Sequence, residues 1–194
     1  MTETEICNLA LSHLGTNQIT DIDGTDPESV ACATMFDPAR DEVLSDFQWT
    51  FCNTQLVLTE IDETRLGWDF IYSYPQQAVR VWNIYNEATF KDKTNQDFEL
   101  YFDAAGVKRI ASNLDSAYAD YSYRVTDTTL WEQKFINALS YKLASMISHT
   151  LIGDPSIALK MAQIYEGLIG QAKRLDFQQK IRKPNQESGY INSR

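Results

Sequence analysis

Positive charge is nearly missing from the first third of this chain. Residues 1–62 hold 12 acidic residues against a single basic one, Arg40, a net of −11. A surface of that sign excludes tight, sequence-independent nucleic-acid binding, in which Lys and Arg displace the counterions of the phosphates. It also excludes docking on anionic lipid. Cysteine is scarce: Cys7, Cys32 and Cys52 are odd in number, widely spaced and form no Cys-x-x-Cys pair. That suggests neither a disulfide frame nor a zinc site, and free thiols in a reducing cytosol are expected. There are two histidines, His13 and His149, and neither has a second His or Cys at metal-ligand spacing. The eight glycines are scattered and build no phosphate-cradling loop, and no Gly-x-Ser-x-Gly elbow occurs. No apolar run approaches the roughly 20 residues that span a bilayer. The acidic start, Met1-Thr2-Glu3-Thr4-Glu5, lacks the positive region of a secretory leader.

What is present is enough for a core. The 194 residues are 43% hydrophobic, which fits one domain, or one domain with an insertion, and excludes global disorder. The net charge of −10 is unevenly spread: after the acidic front, residues 63–172 are at −3 and residues 173–194 at +4. A basic end of this kind reads as an interaction segment.

Helix signals open the chain. Thr2 and Glu5 have the spacing of a capping box, Ile6, Leu9, Ala10, His13 and Leu14 share one helical face, and Gly15 supplies a left-handed stop. Asp26-Pro27-Glu28 starts a second helix with an N-cap, a Pro at its first position and an acid near its positive end. Its apolar stripe is Val30, Ala33, Phe36, Val43, Leu44 and Phe47, and Pro38 predicts a kink or a junction of two helices. From Gln48 the period changes. Strands are expected within Trp49–Ile61, where Leu56 and Leu58 alternate with polar neighbours, and over Ala78–Tyr85, Phe98–Phe102 and Tyr121–Val125. Their connections are too short for parallel crossovers, so the sheet is antiparallel.

Helical period returns with Trp131, Phe135, Ala138, Leu139, Leu143, Met146 and Ile147, stopped by Gly153-Asp154-Pro155. A last helix from Pro155 sets Ala158, Met161, Ala162, Tyr165, Leu168, Ile169, Ala172 and Leu175 on one side, so the pair forms an antiparallel hairpin. The expected fold class is α+β, predominantly α-helical: a helix bundle with an inserted small antiparallel β-sheet and an extended C-terminal arm. Residues 1–180 make one domain, helical over 1–47 and 128–180 with a β-rich insertion over 48–127, and residues 181–194 are a flexible polar arm.

Three stretches invite chemistry. Asp21-Ile22-Asp23-Gly24-Thr25 matches the Asp-x-Asp-Gly-Thr signature of haloacid-dehalogenase-like phosphohydrolases, in which the first Asp is nucleophile, the second acid/base, and magnesium offsets the phosphate charge. That signature needs a buried strand before it, and the residues there are polar; a loop with a helix cap at its end is the competing reading. Gly24 falls at the fourth place from Asp21 and not the sixth, so a calcium loop does not fit. Trp68, Phe70, Tyr72 and Tyr74 offer either a carbohydrate- or peptide-binding platform or ordinary packing between sheet and helices. The histidines are expected to be hydrogen-bonded structural residues, and no catalytic residue, cofactor or metal is expected. The basic end is either a solvated tail or an arm that orders on a partner, with Tyr190 and Ile191 as anchors.

The order of features is recognisable. Ile6-Cys7-Asn8-Leu9-Ala10-Leu11-Ser12-His13-Leu14-Gly15 precedes an acidic loop, then Phe36-Asp37-Pro38-Ala39-Arg40-Asp41-Glu42-Val43-Leu44 leads into Phe47-Gln48-Trp49-Thr50-Phe51. Trp68-Asp69-Phe70-Ile71-Tyr72-Ser73-Tyr74-Pro75, Tyr123-Arg124-Val125-Thr126-Asp127 and Ala138-Leu139-Ser140-Tyr141-Lys142-Leu143-Ala144 follow in turn. In this order the chain resembles the tail tubular protein A family of short-tailed bacteriophages, the head-to-tail adaptors below the portal. The resemblance implies a non-enzymatic virion protein of the phage neck, assembled in the host cytoplasm. It implies a dodecameric ring of identical subunits joining the portal protein to the tail nozzle protein, around a channel that passes double-stranded DNA without specific binding. It also implies that a C-terminal arm contacts the portal and that the β-containing part lies toward the tail. As the basic, unstructured stretch, residues 181–194 are the candidate arm, with Ile181, Arg182, Lys183, Tyr190, Ile191 and Arg194 as its docking residues.

Overall fold

The computed structural model describes residues 1–90 and 96–181, with side chains as far as Leu175. Helix α1 (Glu3–Leu14) has both halves of its capping box: the Thr2 hydroxyl accepts from the Glu5 amide and the Glu5 carboxylate accepts from the Thr2 amide. Gly15, at φ 71°, ends it in the left-handed conformation that costs glycine nothing. Its buried face is Ile6, Cys7, Ala10 and Leu11, while Leu9 and Leu14 are half-buried at its margin.

Helix α2 (Pro27–Asp46) is capped by the Asp26 carboxylate, which accepts from the Ser29 amide at 3.0 Å. It runs through Pro38 as one element, so of the two expectations for that position, a kink or a junction of two helices, the junction is ruled out. Pro38 is exposed, so water can satisfy the carbonyl its missing N–H leaves free. The expected stripe is also out of phase: Val30 and Ala33 face solvent, and Ser29, Ala31, Cys32, Ala39 and Arg40 are buried alongside Phe36, Val43 and Leu44. Helices α4 (Gln133–Leu151) and α5 (Pro155–Ile181) form the antiparallel hairpin, turning at Gly153 with φ 75°. Helix α4 packs on α5, α2 and α1 at once, so its buried arc extends to Ile136, Ser140, Ala144 and Ser148. Leu175, expected on the packed side of α5, is exposed.

Between the helices lie two small antiparallel sheets where one was expected. The first has the order β1 (Asn53–Val57), β7 (Tyr118–Tyr123), β4 (Ala78–Tyr85). The second has the order β2 (Glu60–Ile61), β3 (Phe70–Ser73), β6 (Lys108–Ser112), β5 (Phe98–Phe102). A one-turn helix, α3 (Glu87–Phe90), follows β4. One sheet is not enough because β4, β7 and β6 each need a covered face. Ile84 and Ala119 are paired across the first sheet, Tyr72 and Ile110 across the second, and all four belong to one apolar cluster with Leu58, Val81 and Ala117. Since side chains alternate along a strand, the neighbours of these residues point to the two outer faces.

The helices enclose a separate, larger core in which Trp49 is central. Its indole N–H donates to the Val43 carbonyl at 2.8 Å, and its ring meets Phe47 and Phe135 edge-on. Arg124 of the chain leaving β7 pairs with Asp41 of α2, and the Arg80 guanidinium donates to the Ser45 carbonyl, so helices and sheets are tied by charge and hydrogen bonds. Among the described residues no helix is long and apolar enough to cross a membrane.

Candidate functional site

The Asp21–Thr25 loop is built as a helix entry. Asp21 and Asp23 are exposed, the Asp21 carboxylate accepts from the Asp23 amide, and no strand precedes them. The buried Ser29 hydroxyl bridges the Asp21 carbonyl at 2.8 Å and the Asp26 carboxylate at 3.0 Å. Hydrogen bonds from Ser29 hold the Asp26 carboxyl below the usual carboxylate range. The Ser29 amide bond is an N-cap contact, so Asp26→Ala is expected to cost about 1 kcal/mol of stability and Asp21→Asn almost nothing. Thermal unfolding of the two variants checks this; an equal loss from both would show that Asp21 is held for more than the loop.

Each histidine and cysteine has a local explanation. The His13 ring stacks on Tyr141 with centroids 3.9 Å apart, and its Nε2 lies 3.0 Å from the Ser140 hydroxyl, which joins α1 to α4; burial lowers its pKa. His149, expected to be a hydrogen-bonded structural residue as well, is instead exposed near the end of α4 and makes no side-chain hydrogen bond to a described residue. Cys7, Cys32 and Cys52 are buried free thiols. The neighbouring Cys32 thiol and then burial push the Cys7 thiol up, and burial pushes Cys52 up, which makes both poor nucleophiles. Among the described residues no three His, Cys, Asp or Glu gather as a metal site.

Arg40, the lone cation of the acidic front, is internal. It is 4% exposed and its guanidinium binds Asp37 at 2.7 Å and Asp41 at 3.0 Å. Glu3, Glu5, Asp21, Asp23, Asp26 and Glu28 form no ion pair with any described residue. Arg124 and Lys142 from outside the front pair with Asp41 and Glu42, so the front's unpaired acidic surface is concentrated in residues 1–28.

The aromatic stretch is divided. Tyr72 is buried with its hydroxyl donating to the Leu114 carbonyl, and Phe70 and Tyr74 pack on the same cluster. Trp68 instead belongs to a turn that sequence reading missed. Its amide donates to the Arg65 carbonyl at 3.1 Å, and Gly67 at φ 89° takes the third position of a type II turn. The Arg65 guanidinium makes two bonds to the Glu99 carboxylate, at 2.9 and 2.6 Å, and lies 4.0 Å from the Tyr101 ring centre. The Trp68 indole donates to the same carboxylate at 2.9 Å. These contacts clamp the turn to β5 and leave Leu66 at its tip, wholly exposed. The signal present in sequence was the Gly after an apolar residue; its clamp, 34 residues away, was not legible.

On the outer face of the first sheet, Gln55, Tyr85, Asn86, Glu87, Phe90 and Tyr118 line an open cleft of about 290 Å³. The Tyr85 and Tyr118 rings lie parallel at 6.1 Å, and Phe90 approaches Tyr85 at 5.1 Å. Of the candidate arm, Ile181 is the last residue of α5; Arg182, Lys183, Tyr190, Ile191 and Arg194 lie outside the described residues. Compared with protein-family models and with curated proteins, the chain matches none.

Proposed function

We propose that this protein is a structural head-to-tail adaptor of a short-tailed phage, a ring subunit between portal and tail nozzle around the DNA channel. The observation that carries the reading is the acidic surface of residues 1–28: Glu3, Glu5, Asp21, Asp23, Asp26 and Glu28 form no ion pair with a described residue, and the front's single cation, Arg40, is covered and neutralised by Asp37 and Asp41. A conduit lined that way repels phosphate and lets DNA slide, where a basic lining would hold it. Helix α5 leads from the bundle into residues 182–194, which carry Arg182, Lys183 and Arg194 against Glu187; this segment is the arm for the portal. In this reading the β-rich part lies toward the nozzle, with the exposed Leu66 as one apolar residue it offers there. Ring closure by identical subunits uses heterologous contacts, which an acidic front and a basic end can supply.

The test is assembly. Purified protein mixed with the portal protein of the same phage is expected to give rings or portal complexes by negative-stain electron microscopy, and a chain ending at residue 180 is expected to lose portal binding. Absence of any complex with the full chain would remove the proposal's support. A protein that is monomeric by itself would not, because the portal can act as the template.

A further inference from the structure

We propose that the cleft between β4, β7 and α3 receives the guanidinium of an arginine side chain presented by a partner protein, a role that goes beyond the adaptor reading and does not require it. The β-rich part shows what such a site is made of. At the Leu66 turn, Arg65 lies over the Tyr101 ring while its N–H groups bind the Glu99 carboxylate. Arg80 over Trp82 and Lys108 over Tyr74 repeat the cation–ring contact at 4.3 and 4.1 Å. The cleft has the ring and carboxylate of that arrangement without the cation: Tyr85, Tyr118 and Phe90 form its wall, Glu87 stands on its rim, and no described Lys or Arg lines it.

Charge selects the occupant. Asp120 sits on the same outer face, paired across the ladder with Gln55, and its carboxylate accepts from the Gln48 and Asn53 amides. Neither Asp120 nor Glu87 forms an ion pair with a described residue. An anionic group entering here meets the Glu87 carboxylate, with Asp120 on the same sheet face beyond it, and an apolar one buries the rings but leaves Glu87 unpaired. An arginine satisfies both features: its plane lies on an aromatic face and its N–H fork reaches a carboxylate and an amide oxygen. Arginine fits better than lysine, because guanidinium is the more weakly hydrated cation and stacks. The volume, about 290 Å³, lies at the lower edge of the range of small-molecule pockets, roughly 300–1,000 Å³, and has room for a whole arginine side chain. Phe90 and Val57 are 45% and 57% exposed beside it, giving apolar surface for the backbone that carries the arginine.

The test is an NMR titration of the full chain with the capped tripeptide acetyl-Gly-Arg-Gly-amide. The Lys and Leu tripeptides serve as comparators. Saturable shifts are expected at Tyr85, Tyr118 and Phe90 with the Arg peptide and weaker ones with the Lys peptide. Glu87→Gln, an exposed and structurally mild change, is expected to weaken Arg-peptide binding about two- to fivefold, and added salt to weaken it further. Equal response to the Leu peptide would make the cleft merely apolar and overturn the proposal, as would an unchanged affinity in E87Q or the absence of any shift at these rings. Residues Lys91 and Lys93 follow Phe90 in sequence. Ring signals that move in a K91A/K93A variant without peptide would assign the cleft to the chain's own lysines and overturn it as well.

Discussion

Replacing Trp49 with alanine is expected to lower the unfolding free energy by about 3–5 kcal/mol, the usual cost of deleting a fully packed aromatic side chain. Trp49 is 2% exposed and sits where the chain leaves α2 for β1. Its ring contacts Phe47 at 4.9 Å and Phe135 at 5.3 Å, both edge-on, and Phe135 in turn touches Phe51 and Trp131. Truncation would empty the middle of this aromatic group and strand the Val43 carbonyl that its indole N–H satisfies. Trp49→Phe keeps most of the volume and loses the N–H, so it is expected to cost less than half as much. Urea unfolding with an unchanged slope checks both, and Leu66→Ala, at a fully exposed position, serves as the control with an expected change within about 0.5 kcal/mol. A Trp49→Ala variant as stable as that control would refute this role for Trp49.

The second large effect is alkaline. Tyr165 of α5 is 5% exposed, and its hydroxyl donates to the Asp46 carboxylate of α2 at 2.6 Å. Burial first, and then that carboxylate, raise its pKa far above the ordinary tyrosine range. The folded state therefore keeps this proton at a pH where the unfolded chain, titrating near 10, has released it. Stability is fully present below about pH 10 and falls as pH rises above it, because beyond that point the folded state binds more protons than the unfolded one. Tyr165→Phe should remove that part of the slope while costing about 1.5–3 kcal/mol at neutral pH, as a charge-assisted hydrogen bond is lost and Asp46 is left without it. Tyr85, pushed up to about 12 by burial, contributes a decline of its own that levels off near pH 12 and that both proteins share. Urea midpoints measured between about pH 8 and 11 test this; parallel curves for the two proteins would show that the Tyr165 proton is not held by the fold.

Local signals were read well where they act within a few residues. The Thr2–Glu5 box and Gly15 bracket α1, Asp26-Pro27 starts α2, and β4 and β5 have the limits that alternation predicts. The errors arise where one element answers to several neighbours. Helix α2 buries Ala31, Cys32 and Arg40, not Val30 and Ala33, because its packed arc is set jointly by α1 and α4 and because the covered Arg40 is neutralised by Asp37 and Asp41 at its margin. Strand β6, Lys108–Ser112, was missed because it holds two charges and a single large apolar residue. It is a central strand, between β3 and β5, only because Arg109 is neutralised by Asp103 at 2.8 Å and Ile110 enters the second core.

By itself the sequence determined the helical ends, the antiparallel sense of the strands, the acidic front and the basic end, since caps, short turns and charge counts are local or additive properties. Only the tertiary structure decided which charges are seen from outside, and where the rings go. Arg40 is withdrawn from the surface by Asp37 and Asp41, Trp68 is committed to Glu99, and Tyr85 meets Tyr118 across a strand pair. The last two of these join residues about thirty positions apart, and their register depends on how two sheets share one core. A one-residue slip would exchange inner and outer faces, so the cleft exists because the packing of Ile84 and Ala119 fixes which way Tyr85 and Tyr118 point.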